Sequence, residues 1–193
     1  MLFRSDSELP NDIYGLADEK FRNRLGLAPT NSSFIAMVAC MIELDGEEKV
    51  LDWLTKINGL GYKEYPKNSP QVAAVVSGEL DIGMINHYYT LRVLAENGDE
   101  PIKNVYLNEG CGAMVMPAGV GILSSSQNKS AAMAFIDFLH SQSAQETFTN
   151  TVYEFPLVAG IQPNALLPDI DRDRKSTRLN SSHVRTSRMP SSA

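Results

Sequence analysis

The 193-residue chain is poor in the residue types that most often carry catalysis: it has three histidines, two cysteines and one tryptophan. No HExxH, GxSxG or P-loop pattern occurs, which removes the usual sequence signs of a zinc protease, a serine hydrolase and a nucleotide-phosphate site. No nucleophile–base pair stands out. Ser124-Ser125-Ser126 runs into Gln127-Asn128-Lys129 and reads as a loop before a helix. His140 falls in the last turn of a predicted helix, where a partly charged imidazole suits the helix dipole, and His183 lies close to the C-terminus. Only His87 follows a predicted buried strand. The chain is expected not to be an enzyme.

Long apolar runs are missing too. Nothing approaches 18 consecutive apolar residues, so no transmembrane helix is expected. The first six residues lack a basic stretch followed by an apolar one and do not read as a secretory signal peptide. The expectation is a protein that stays inside the cell or a fragment that has lost its start. Positive charge is scarce and unevenly placed. The net charge is −6, but residues 171–193 hold six Arg or Lys against two Asp, leaving 11 basic and 21 acidic residues over 1–170, a net −10. An acidic body argues against a nucleic-acid partner, which needs a basic face. Cys40 and Cys111 stand 71 positions apart, outside any zinc spacing. Cys40 sits in the apolar run 34–42, so a small buried hydrophobe is the expected role, with a Cys40–Cys111 disulfide left open.

What is present is an alternation of short apolar runs and amphipathic helices, 43% of residues being hydrophobic. Strands are expected at 25–28, 63–65, 80–85, 105–107 and 114–123, with 153–161 extended. Helices are expected over 34–44 and 47–58, from 69 to about 77, from 88 to 97, and over 130–140 and 143–150. Val50, Leu51, Leu54 and Ile57 recur at helical spacing with Trp53 beside them, and Ala132, Met133, Ile136 and Leu139 share one face. Ser69 suits an N-cap and Pro70 the first helical position. Such alternation predicts an α/β fold with a mostly parallel sheet. Residues 172–193 contain four residues of the hydrophobic set, too few to offset the entropy of ordering them. Within them, residues 175–183 resemble translated adapter sequence. Residues 171–193 are therefore expected to be a disordered, non-native tail.

Three polar segments can carry binding chemistry. Pro29-Thr30-Asn31-Ser32-Ser33 joins a strand to a helix, where free N–H groups form a natural anion cradle. Read alone, such a cluster more often caps its own helix. Lys67-Asn68-Ser69-Pro70 is a second polar helix start. Asn86-His87-Tyr88-Tyr89 lies past the carboxyl end of a strand, where ligands bind in open α/β sheets. Adjacent phenols are usually packing residues. Ferric iron gives a reason for two at a cleft, because a hard cation favours anionic oxygen and its charge can deprotonate a phenol.

Taken in order, these segments resemble the iron(III)-binding proteins among the bacterial extracellular solute-binding proteins. The resemblance rests on residues 28–34, on 67–69 before a helix ending Ser77-Gly78-Glu79, and on 85–89. Residues 16–24, 120–129 and 153–158 support it, and it covers roughly 9–168. It implies a periplasmic-binding-protein type II fold, incomplete here, with residues 1–113 in the C-terminal lobe. Residues 114–155 would form the hinge crossing and a segment returning to the N-terminal lobe, and 156–170 the C-terminal remainder. It also implies Fe3+ bound by Tyr88 and Tyr89, with a synergistic anion such as phosphate held by Asn31, Ser32, Ser33, Asn68 and Asn86. Asn31-Ser32-Ser33 replaces the family's common Ser-Gly-Ala loop. The implied protein is a monomer, periplasmic or lipid-anchored outside the inner membrane, serving an ABC permease. Two rivals are a binding protein for polyamine, sugar or an oxyanion, and the effector-binding domain of a transcription regulator. If residues 171–193 are non-native, deleting them leaves the thermal unfolding of the remainder unchanged; a large drop in Tm on deletion would show the tail docked.

Overall fold

A computed structural model of the chain describes residues 1–3, 10–107 and 109–169. The expected tail, 171–193, lies outside the described residues. Five strands, β1 (Leu2–Phe3), β2 (Leu25–Leu27), β3 (Lys63–Glu64), β4 (Ile82–Gly83) and β5 (Lys103–Asn104), form one sheet in the order β3-β2-β4-β1-β5. β2 runs parallel to β3 and β4, with Leu25 opposite Ile82 and Gly26 opposite Gly83. β1 runs antiparallel to both β4 and β5. β2, β3, β4 and β5 therefore run one way, as a mostly parallel sheet requires, and β1 alone opposes them; an N-terminal strand of two residues is too short to show a period in the sequence.

Among the described residues there are six α-helices, α1 (Ser32–Asp45), α2 (Glu47–Gly59), α3 (Asn68–Val76), α4 (His87–Asn97), α5 (Lys129–Leu139) and α6 (Gln142–Thr151), and the core on the sheet is built by α1 to α4. On one face Leu25, Leu27 and Ile82 pack with Met37 and Met41 of α1 and Val50, Trp53 and Ile57 of α2. The inner face of α2 is the 50-53-57 row; Leu51, which the spacing had grouped with it, is 61% exposed. The Trp53 indole donates to the Ile13 carbonyl at 3.1 Å, so its one polar atom is satisfied inside this core. On the other face Val72, Ala74 and Val75 of α3 pack with Leu2, Tyr65, Leu80 and Ile102. Gly26 points to this second layer, and a Cβ there would stand 2.5 Å from the Leu80 methyl.

Several expected elements differ. α3 starts at Asn68 with Lys67 as its N-cap, two residues before the expected cap Ser69. Pro70 still falls in the first turn, where its missing N–H removes no helical bond. The last strand of the sheet is Lys103–Asn104 rather than 105–107, although Val105 N–H still donates to the Met1 carbonyl at 2.7 Å. Residues 114–123 and 153–161 form no strand; among the described residues no strand lies beside them, and extended backbone without a neighbour has no ladder to join. In α5, Ala132, Ile136 and Leu139 are half-buried, whereas Met133 is 51% exposed.

Cys40 does not act as a lone hydrophobe. It is disulfide-bonded to Cys111, with a Cα–Cα separation of 5.8 Å. The bond ties the middle of α1 to the 3-10 turn Cys111–Ala113, and such bonds persist in oxidising compartments. Because it closes a long loop, replacing both cysteines by serine should lower the unfolding free energy by about 2–4 kcal/mol. Urea titrations with and without dithiothreitol check this, and an unchanged midpoint under reduction would mean the bond does not constrain the chain.

Candidate functional site

The three parallel strands end at one edge of the sheet, and each is followed within a few residues by an asparagine at a helix start. β2 ends at Leu27 and leads to Asn31, β3 ends at Glu64 and leads to Asn68, and β4 ends at Gly83 and leads to Asn86. A cleft of about 890 Å³ opens over this edge, lined by Asn31, Ser32, Ser33, Asn68, Asn86 and Tyr88, among others. The structure thus brings together six of the seven residues singled out from sequence.

The asparagines play different parts. Asn31 caps α1: its side-chain oxygen accepts from the Ser33 N–H at 2.9 Å. It occupies one of the N–H groups that a cradle would offer, so the plain capping role holds for that bond. Asn86 occupies the N-cap position of α4 but makes no capping bond. Its amide nitrogen donates instead to the Tyr88 hydroxyl at 2.9 Å. Asn68 is buried, and its side-chain oxygen accepts from Gln71 at 3.4 Å.

Tyr88 and Tyr89 both lie in the first turn of α4. Tyr88 borders the cleft. Tyr89, the seventh residue, packs against the second core layer behind it. The two rings are 4.6 Å apart at their centroids, and the neighbouring Tyr89 phenol helps hold the Tyr88 pKa up. Burial raises the Tyr88 phenol above its ordinary pKa, and the Asn86 amide acts against that shift. The phenol therefore stays protonated at neutral pH unless a cation takes the place of its proton.

Sequence reasoning missed several neighbours. The Arg92 guanidinium lies 5.4 Å from the Tyr88 ring centroid; the four-residue helical spacing of the pair could have shown this. Glu154, brought in from beyond α6, lines the cleft. Its carboxyl is raised chiefly by burial, which Arg92 opposes. His87 Nε2 is 2.8 Å from the Tyr153 carbonyl, its ring lies between Tyr88 and Phe155, and burial lowers its pKa. Tyr106, a second phenol on the cleft beside Tyr88, takes a 3.2 Å bond from the Asn104 amide. No spacing signal links positions 104, 106 or 154 to 88, because the fold alone brings them together.

The donor set is one of hydroxyls, amides and helix N–H groups. Among the described residues no group of three or more His, Cys, Asp or Glu could hold a metal ion. Paired phenols beside free helix N–H groups suit a hard, highly charged cation together with an anion. Among the described residues no helix is long and apolar enough to cross a membrane.

Comparison with known proteins agrees with this arrangement. The Major ferric iron-binding protein of Neisseria meningitidis serogroup B is 36% identical over 156 residues, covering 79% of this chain and 47% of that protein. The Fe(3+)-binding periplasmic protein of Serratia marcescens is 34% identical over 188 residues, 93% of this chain and 55% of that one. The chain spans about half the length of these curated relatives. The crystal structure of iron-bound HitA from Pseudomonas aeruginosa matches with a TM-score of 0.81 at 31% identity, over 86% of this chain and 56% of that one. The fold is that of the type II periplasmic binding proteins, of which this chain spans a part. A family profile described as bacterial extracellular solute-binding protein matches residues 5–186, and the chain belongs to that family.

Proposed function

We propose that the protein is the substrate-binding component of an ABC uptake system, capturing ferric iron with a small anion and delivering it to an inner-membrane permease. The observation that carries this reading is the meeting of Tyr88, its ring 4.6 Å from that of Tyr89, with the α1 helix start and Asn68 around one cleft. The names of the relatives, ferric iron-binding proteins of Neisseria meningitidis and Serratia marcescens among them, support it. A receptor for a sugar or polyamine would not need Tyr88 and Tyr89 together.

In this reading Tyr88 and Tyr89 give phenolate oxygen to Fe3+, and Asn86 orients Tyr88. Ser32, Ser33 and Asn68 hold phosphate or a small carboxylate at the start of α1, with Asn31 shaping the turn. Residues 1–113 belong to the C-terminal lobe, 114–155 cross the hinge and return toward the other lobe, and 156–170 complete the chain. Closure of the lobes is the event a permease reads. The protein works as a monomer, in the periplasm or anchored by lipid outside the inner membrane.

Two experiments test the site, both on this chain joined behind the matching first half of a relative. A phenolate–iron complex absorbs visible light by charge transfer. Tyr88→Phe and Tyr89→Phe keep the rings and remove only the oxygens. Each should bleach or shift the band and weaken iron binding by at least about tenfold, or about 1.4 kcal/mol. Retained colour and affinity in both variants would return the pair to packing. Ser32→Ala with Ser33→Ala should lessen the gain in iron affinity that phosphate brings. An unchanged phosphate effect would leave these serines as helix-start residues only.

A further inference from the structure

We propose that Gln71 is a positioning residue that fixes Asn68 as a hydrogen-bond donor toward the anion; this rests on the anion cradle proposed above. Gln71 lies one turn after Asn68 in α3, at the spacing that puts two helical side chains on one face. Its relative exposure is 0%, and that of Asn68 is 3%. Gln71 lies over the register partners Gly26 and Gly83, its Oε1 within 3.5 Å and 3.7 Å of where their Cβ atoms would be. Val75 and Leu80 are its close neighbours over the same glycines.

An amide in such a place is poorly accommodated. Its Oε1 is buried and has no hydrogen-bond partner, and a methionine or leucine of similar volume would leave nothing unsatisfied. Its single hydrogen bond, Nε2 to Asn68 Oδ1, goes to a side chain that borders the cleft. The consequence for Asn68 is directional. An asparagine amide can present either its oxygen or its nitrogen. With Oδ1 taken by Gln71, the –NH2 end remains for the cleft. The oxygens of a fully ionised phosphate or carboxylate accept hydrogen bonds and offer none, so only that orientation is useful. A carbonyl turned outward would repel the same anion. Gln71 thus acts through Asn68 and has no contact of its own with the cleft.

The test uses the full chain without iron, titrated with inorganic phosphate and followed by the Asn68 side-chain NH2 resonance and the α1 backbone amides. In the wild type both sets should move saturably. Gln71→Met should melt no lower than wild type, lose the Asn68 movement and bind phosphate at least about fivefold more weakly, while the α1 amides still respond. Gln71→Glu at alkaline pH has nearly the same shape but can only accept, and should give the same loss if the methionine variant fails to fold. Wild-type affinity with an unchanged Asn68 response in either folded variant would make Gln71 a packing residue and overturn the proposal. So would a wild type in which phosphate moves the α1 amides but leaves Asn68 still. If phosphate moves neither set in the wild type, the anion cradle itself falls, an outcome distinct from failure of the Gln71 role.

Discussion

The parallel pairing of β2 with β3 and β4 is the constraint on which the cleft depends. Parallel neighbours end at the same edge, and the helices that follow must begin there. The register Gly26–Gly83 sets Asn31 and Asn86 just past that edge, and β3 adds Asn68 from the other side of β2. Three helix starts then face one space with their first N–H groups unpaired by the helix. One of those groups is satisfied locally, by Asn31. The Asn86 side chain, freed from capping, supports a phenol instead. Gly26 keeps the pairing close, since any side chain there would meet Leu80.

The opposite wall of the cleft is held by two ties of different strength. The disulfide joins α1, whose start forms the cradle, to Cys111, from which residues 112–120 run along the cleft. The second tie is the His87 bond to the Tyr153 carbonyl, made at a residue with φ +62°. A bulky residue in the left-handed region is held there by its surroundings. Here those are the His87–Phe155 ring contact and the bond itself. The covalent tie sits in the core layer. The hydrogen-bonded one sits beside Tyr88.

Much of the helical content was legible because capping and stop residues mark it. Gly46, Gly78 and Gly98 all take positive φ at or just past helix ends, and the polar run before Phe34 contains the cap of α1. The short strands were legible where apolar residues cluster, as at 25–27, and illegible where two residues suffice, as at Leu2–Phe3. A two-residue strand exists only through its neighbours. The site followed the same division. Asn31, Ser32, Ser33, Asn68, Asn86 and Tyr88 each sit at a helix start that the local pattern reveals, and the family resemblance is what singled them out. Gln71 looked like an ordinary helix residue, and Glu154 and Tyr106 like loop residues. Their meaning comes from tertiary packing, which local spacing does not encode. The cysteine pair failed for a related reason: an apolar setting suits a disulfide as well as a free thiol.

The electrostatics of the cleft bear on why an acidic protein would gather its proposed cargo with phenols. Residues 1–170 carry a net −10, so carboxylates are available for cation binding, yet no cluster of them is found among the described residues. Burying several carboxylates side by side would require each to be desolvated and to face its neighbours' charge whenever the site is empty. Phenols avoid this. With its pKa raised by burial, Tyr88 is neutral in the empty cleft, and its hydroxyl accepts from the Asn86 amide. It becomes charged only when a cation supplies the compensating field. Glu154, raised by burial and opposed by Arg92, leans the same way. On the proposed reading the phenols give up their protons as the metal enters, so the empty cleft carries little charge repulsion to resist its folding.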